Sequence, residues 1–368
     1  MSKDIMSVPE GTYDLLGYQC KVIKKLMEDI NKIFYCFGYD EVITPTLEFY
    51  DTFNRYENGI KQEEMYKFFD NKGKILVLRA DGTIPIARLV ATKLRNSNFP
   101  LRLSYSSKIF RLNETLVGKK NEFLDCGVEF IGGKTFDSDI EVLVIAINAL
   151  KQGKISEFKI EIGHIGIFNN LWNKSQLDNK YREKLSSLIE NKKLVELDEL
   201  LNKLNISGEY KAIFKALPWM FGGKEVFHKV REIIKDNDVL ENICYLEKIY
   251  EGLKFLGYED YVIFDLGATP KIDYYSGIIF KGYIKGLGSY VLYGGRYDNL
   301  IKEYGKDVKA IGLSININEL SKAIDEKTFL DVDEERKIYY TNNNFLERIK
   351  RADELVQKGE KVLVLEEE

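Results

Sequence analysis

Between residues 15 and 37, Ile23, Leu26, Ile30, Ile33, Phe34 and Phe37 recur at helical spacing, which predicts an amphipathic helix with one face turned inward. Gly38 follows the last of them and suits a left-handed helix cap. Strand-like patterns come next, at Glu41–Thr44 and Ile75–Arg79. The turn Ala80-Asp81-Gly82-Thr83 then leads into a helix through Ile84 and Pro85, with the proline near the first helical position. Residues 101–111 and 122–131 read as strands. The loop between them contains Gly118, Lys119 and Lys120, and the pair predicts a long antiparallel hairpin.

From Gly166 to Gly257 the texture changes to Leu, Lys, Glu and Asn at helical period, which predicts a helical insertion. Strand patterns return in VIFDLG, IDYYSGIIFKGY and SYVLYGG, and a strand-helix unit begins near Ala310. At the C-terminus, a strand at 338–341, a helix over 345–358 and a strand at 361–365 form a β-α-β pattern too short for a full core of its own. The expected fold class is α+β. Its parts are a core in two stretches, 1–165 and 258–325, a helical insertion at 166–257 and a short C-terminal unit at 326–368.

Composition adds limits. Hydrophobic residues at 45% and charged residues at 30% describe a globular chain. A net charge of -4 argues mildly against a nucleic-acid surface. Cys20, Cys36, Cys126 and Cys244 lack C-x-x-C spacing and the chain has 2 histidines, which disfavours disulfides and zinc. There is no P-loop, no G-x-G-x-x-G after a strand and no metal-ligand cluster, so neither metal nor cofactor is expected. The N-terminus lacks an apolar leader and no apolar run approaches membrane length; a cytoplasmic location without membrane contact is expected.

The stretch at 109–132, IFRLNETLVGKKNEFLDCGVEFIG, resembles the second motif of class II aminoacyl-tRNA synthetases in its histidyl form. PKIDYYSGIIF (270–280) resembles the histidine-recognition motif of the histidyl-tRNA synthetases, and LYGGRYDNLI (292–301) their Gly-Gly-Arg-Tyr-Asp segment. GTYD at 11–14, residues 65–83 and AIGLSI at 310–315 match in the same order. The resemblance implies a class II synthetase-like antiparallel sheet flanked by helices, and a homodimer. The C-terminal stretch matches only a fragment of the length of the synthetases' anticodon-binding domain, so no tRNA partner is expected. In this respect, and in EIGHIGIF (161–168), the chain is more similar to the synthetase-like regulatory subunits of ATP phosphoribosyltransferase. Those subunits serve the first step of histidine biosynthesis and join a short-form catalytic subunit in a hetero-oligomer.

Within 122–131, alternation places Phe123, Asp125, Gly127 and Glu129 on one face, an acidic notch with a glycine between two carboxylates. The resemblance implies that Asp81, Asp125 and Glu129 surround the α-ammonium of histidine. An ammonium is a triple donor, so three acceptors suit it, but three acids need Arg79 or Arg111 nearby or a shared proton. Tyr274 and Tyr275, read as strand neighbours, face opposite sides, and the resemblance favours Tyr275 for the imidazole, with Tyr297 a second candidate. Thr83 is open to two roles, capping the following helix or touching the ligand carboxylate. Arg111 fits the arginine that grips the α-phosphate. The expected histidine site is thus Asp81, Thr83, Arg111, Asp125, Glu129, Tyr274, Tyr275 and Tyr297, with no catalytic residue.

Four cationic or small positions of the family are altered. Asn121 and Pro270 replace phosphate-binding and catalytic arginines, Glu319 replaces an ATP-binding arginine, and Asn316 a nearby glycine. Losing one such donor typically slows a reaction on the order of 100–1000-fold, and Lys271 is a weak substitute for Pro270. His164, alone in GHIG, is expected to be structural. The expectation is therefore a non-catalytic, allosteric regulatory subunit that binds histidine and controls its catalytic partner, against two rivals. One is a divergent histidyl-tRNA synthetase or histidine-activating enzyme, and the other a synthetase-like scaffold acting only through protein contacts.

Overall fold

A computed structural model describes residues 6–55, 59–112, 120–269, 274–325, 329, 336–341 and 344–367. The chain divides into two compact units, Met1–Ile324 and Asp325–Glu368. In the first, helix α1 (Gly17–Cys36) buries Val22, Ile23, Leu26, Ile30 and Phe34, and Gly38 at φ +78° turns the chain as its sequence predicts. Phe37, expected on the inner face, lies beyond the helix and is exposed. The strand expected at Glu41–Thr44 shrinks to β1 (Asp40–Glu41), parallel to β5 (Leu101–Phe110). Val42 donates one more backbone bond to Ser104, and the approach to Pro45 then bends the chain off the sheet edge, leaving Ile43 90% exposed.

Strands β2 (Leu47–Phe49), β3 (Lys67–Phe69) and β4 (Ile75–Leu78) form a small antiparallel sheet with β4 in the middle. Helix α2 (Tyr50–Phe53) follows β2, and α3 (Thr83–Thr92) follows the Asp81-Gly82 turn. β5 pairs with β6 (Glu122–Ile131) over its full length, Leu101 opposite Ile131 and Phe110 opposite Glu122, so the expected hairpin is present. Gly118 and Lys119 lie outside the described residues. Then come α4 (Thr135–Gln152), β7 (Phe158–His164), α5 (Ile165–Ser175), α6 (Arg182–Glu190), α7 (Leu194–Lys203), α8 (Gly208–Ala216), β8 (Phe221–Gly222), α9 (Glu225–Ile233) and α10 (Asn237–Phe255). Strands β9 (Val262–Asp265), β10 (Ile278–Ile284), β11 (Leu292–Arg296) and β12 (Ala310–Asn316) complete the unit, with a short α11 (Ile317–Ser321).

The main sheet runs β1-β5-β6-β12-β11-β10-β7-β9-β8. It is antiparallel from β5 to β7, as the synthetase resemblance implies, and becomes mixed at its edges, where β1 and β9 pair in parallel. Even-numbered residues of β6 (Cys126, Val128, Phe130) are buried on the face where α1 and α4 pack, and Asn31 of α1 bonds Ser106 there. Odd-numbered residues face the other way and build the site.

The helical region is tied to that second face. Lys281 on β10 pairs with Glu190 at the end of α6, and the other oxygen of Glu190 accepts from the Thr269 amide at 2.7 Å. The second unit consists of β13 (Arg336–Tyr340), α12 (Phe345–Val356) and β14 (Val362–Glu366). Its strands are parallel, and Ile338, Ala352 and Leu355 are buried between them and the helix, the expected β-α-β arrangement. Among the described residues, no helix is long and apolar enough to cross a membrane.

Candidate ligand-binding site

Four strands supply the floor. Register sets Tyr105, Gly127, Ser314 and Tyr293 in one row and Leu103, Glu129, Gly312 and Gly295 in the next, all pointing to the same face. Gly312 is required there, because a Cβ would stand 1.8 Å from a Glu129 oxygen. Gly295 leaves room likewise, since a Cβ would lie 2.8 Å from the Tyr275 ring. Above these rows is a cavity of about 190 Å³, counting its open mouth, lined by Thr83, Tyr274, Tyr275, Tyr293, Tyr297 and the β11–β12 residues Gly294, Gly295, Gly312, Leu313 and Ser314.

The carboxylates are buried, and each is held on one side only. Ser314 Oγ donates to Asp125 Oδ2 at 2.7 Å, and the Tyr297 hydroxyl donates to Glu129 Oε2. Asp125 Oδ1 and Glu129 Oε1 are buried with no hydrogen-bond partner. Burial pushes Asp125 up to about 7, against the pull of the Ser314 hydroxyl and the Arg111 charge. Burial likewise pushes Glu129 up to about 8, with Tyr297 and Thr83 pulling it down and Asp81 adding to the rise.

Asp81 caps α3: its Oδ1 accepts from Thr83 N at 2.7 Å and Ile84 N at 2.9 Å. Of the two roles open to Thr83, capping therefore falls to Asp81, and Thr83 lines the cavity. Arg111 donates from Nε to the Ala80 carbonyl at 2.7 Å and from Nη2 to Asp81 at 3.4 Å. Arg79, the other cation considered for these acids, is directed instead to the Lys108 and Thr44 carbonyls at 2.8 Å.

Tyr274 and Tyr275 precede β10 in irregular backbone, so strand alternation does not apply, and both rings border the cavity, 4.9 Å apart. This corrects the expectation that only one could do so. Tyr274 also meets the Tyr297 ring edge-on at 6.0 Å. Of the eight candidates, Thr83, Tyr274, Tyr275 and Tyr297 line the cavity, whereas Asp125, Glu129 and Asp81 are hydrogen-bonded to its lining residues Ser314, Tyr297 and Thr83, and Arg111 reaches it through Asp81. Ser314, Tyr293, Gly295 and Gly312 were not singled out from sequence. Their signal was period-2 alternation inside SYVLYGG and AIGLSI, where these residues share a face.

The altered family positions have other duties. Asn121 donates to the Glu10 carbonyl at 3.2 Å, and its amide bonds the Gly11 carbonyl at 2.8 Å, stitching the leading segment to the hairpin. Glu319 is paired with Lys322 at 2.6 Å, and Asn316 caps α11 through the Glu319 amide. Pro270 and Lys271 lie outside the described residues. Arg296, in the Gly-Gly-Arg segment, is buried and donates to Asp139 at 3.0 Å, Ser138 at 2.6 Å and Asp298 at 3.0 Å, fixing the end of β11 against α4. His164 accepts from the Gly166 amide at 3.1 Å and caps α5, and burial lowers its pKa to about 4, the structural role expected of it. Among the described residues, no group of three or more His, Cys, Asp or Glu is placed to hold a metal ion.

The family model for histidyl-tRNA synthetase matches residues 11–320. The ATP phosphoribosyltransferase regulatory subunit of Clostridium kluyveri is 40% identical over 96% of this chain and 91% of its own length. That of Acetivibrio thermocellus is 41% identical over 87% of this chain and 76% of its own. A crystal structure of an ATP phosphoribosyltransferase regulatory subunit/histidyl-tRNA synthetase from Bacillus halodurans superposes with a TM-score of 0.87 at 33% identity, over 98% of this chain and 93% of that one. The histidyl-tRNA synthetase of Nostoc shares the fold, with a TM-score of 0.80 at 19% identity over 98% and 86% of the two chains. On this sequence likeness, spread over nearly the whole chain, the protein belongs to the family of ATP phosphoribosyltransferase regulatory subunits, which is built on the histidyl-tRNA synthetase core.

Proposed function

We propose that this chain senses histidine in the cavity between β6, β11 and β12 and controls a short-form ATP phosphoribosyltransferase catalytic subunit in histidine biosynthesis, in the cytoplasm. The observation that carries the proposal is the pair of buried carboxylate oxygens, Asp125 Oδ1 and Glu129 Oε1, left without partners beside a tyrosine-walled cavity. Buried acceptors without donors are costly, and an ammonium, a triple donor, would satisfy them. In this reading Asp81, Asp125 and Glu129 receive the α-ammonium, while Tyr297 and the Tyr274–Tyr275 pair receive the ring. Thr83 borders the ligand, and Arg111 moderates the acidic charge. Control of the partner is then a coupling free energy, typically about 1–3 kcal/mol.

Adenylate chemistry is absent in this proposal, because a neutral Asn121, bonded to Glu10, and an anionic Glu319, paired with Lys322, supply no cation for phosphates. A second copy of the chain is expected on the small sheet. Register puts Leu47, Phe49, Phe68, Leu76 and Leu78 on one apolar face, of which Leu47 and Phe49 are exposed, while Val77 points to the core. The test is calorimetry with histidine, alongside co-elution with the short catalytic subunit. Absence of histidine binding would remove the sensor, absence of a complex would remove the partner, and histidine-dependent exchange of pyrophosphate into ATP would restore the enzyme reading.

A further inference from the structure

Asp125 and Glu129 are gripped in the same way, and the grip decides what their other oxygens do. Asp125 and Gly127 share a face of β6, and Ser314 on β12 stands opposite Gly127. From there the buried Ser314 hydroxyl donates to Asp125 Oδ2 at 2.7 Å, while Ser314 also lines the cavity. Asp125 Oδ1 is buried without a hydrogen-bond partner. Glu129 repeats the arrangement, with the Tyr297 hydroxyl on Oε2 and Oε1 without a partner.

The last torsion of a carboxyl side chain is broad and soft unless a partner holds it. The Ser314 hydroxyl is such a partner. With its proton directed at Oδ2, a proton titrating on this acid goes to Oδ1. An ammonium seeking an acceptor goes to the same atom. Proton and ligand therefore exclude one another there. A donated hydrogen bond also favours the ionised acid over the protonated one. The charges bearing on Asp125 from other elements are Arg111, after β5, and Asp81, ahead of α3; Tyr105 on β5 and Tyr293 on β11 stand beside it as neutral hydroxyl groups. Burial brings Asp125 to about 7 and Glu129 to about 8, so both forms of each acid are populated near neutral pH.

On the histidine reading just given, we propose that Ser314 is a positioning residue for Asp125. Its hold on Oδ2 makes Oδ1 the seat of both the proton and the ligand's ammonium, and histidine enters by displacing that proton to solvent. Without the hydroxyl the acid turns more freely and keeps its proton to higher pH, and both changes oppose the ligand.

The experiment is calorimetric titration of the full chain with L-histidine, in buffers of different ionisation heat, at about pH 7.5 and about one pH unit higher, both above the usual imidazole value. The unmodified chain is expected to release about one proton per histidine bound at the lower pH, from Asp125 and Glu129 together. Ser314→Ala is expected to bind about tenfold more weakly there and to release more, and its deficit is expected to shrink about threefold or more at the higher pH. Histidine binding without proton release in the unmodified chain overturns the inference and leaves the histidine site standing. A Ser314→Ala deficit equal at both pH values, or no deficit, assigns the hydroxyl to the β6–β12 joint alone and overturns it as well. Should histidine not bind at all, the histidine reading falls, and this inference with it. Proton release by the unmodified chain is measured independently of how the variant folds.

Discussion

Asp125 and Glu129 hold protons that an unfolded chain would release. Their usual values are 3.8 and 4.5, and burial raises them to about 7 and about 8. Between these limits the native state binds more protons than the unfolded state, so stability declines as pH rises. This contribution is fully present below about 4 and lost as pH passes through 7 and 8. The ligand-free protein should therefore be more stable at pH 6 than at pH 9 in respect of these two groups. Asp125→Asn should recover about 1–3 kcal/mol at the alkaline end and little at the acid end, read by urea unfolding at both. The same variant should weaken histidine binding, and Glu129→Gln should do so too.

The acidic notch itself was legible, because strict alternation in 122–131 fixes which side chains share a face. The Ser314 hydroxyl on Asp125 was not, since that contact depends on how β12 registers against β6. Nor could local pattern show that Tyr274 and Tyr275 leave the strand before β10 begins.

Among the elements, the β5–β6 hairpin and α1 follow directly from their patterns, whereas α4 passed unmarked. The reason is physical: Val142, Leu143, Ile145, Ala146, Ile147, Ala149 and Leu150 are all buried, so no polar stripe outlines the helix. The element joint at Arg296 is similarly hidden, because its acid Asp139 lies more than a hundred residues earlier. The guanidinium and Asp139 are both almost wholly buried. Arg296→Ala should therefore destabilise the chain by about 3–5 kcal/mol, by leaving Asp139 without its cation. A loss below about 1 kcal/mol in chemical denaturation would mean that solvent reaches the gap and the joint is dispensable.

For the whole molecule, histidine at a hundred times its dissociation constant should add about 2.7 kcal/mol of stability, seen as an upward shift in thermal unfolding that other amino acids do not reproduce. Phe49→Glu should convert a dimer to a monomer in light scattering without unfolding it, because the side chain is exposed on the small sheet. A dimer that persists would move the contact to another face. The sequence made the synthetase-like layout legible at this scale through motifs in order. It did not reveal the parallel edge strands, which depend on pairings between segments remote along the chain.

Glu190 grips Lys281 on the sheet and, with its other oxygen, the Thr269 amide just ahead of the tyrosine segment. The helical region is thus fastened to the sheet and, with the Thr269 hydroxyl on the Ser186 carbonyl, to the backbone that leads to the tyrosines. A body that docked upon those helices and strained that knot would load the tyrosine wall, and by reciprocity a filled cavity would return the same work to it.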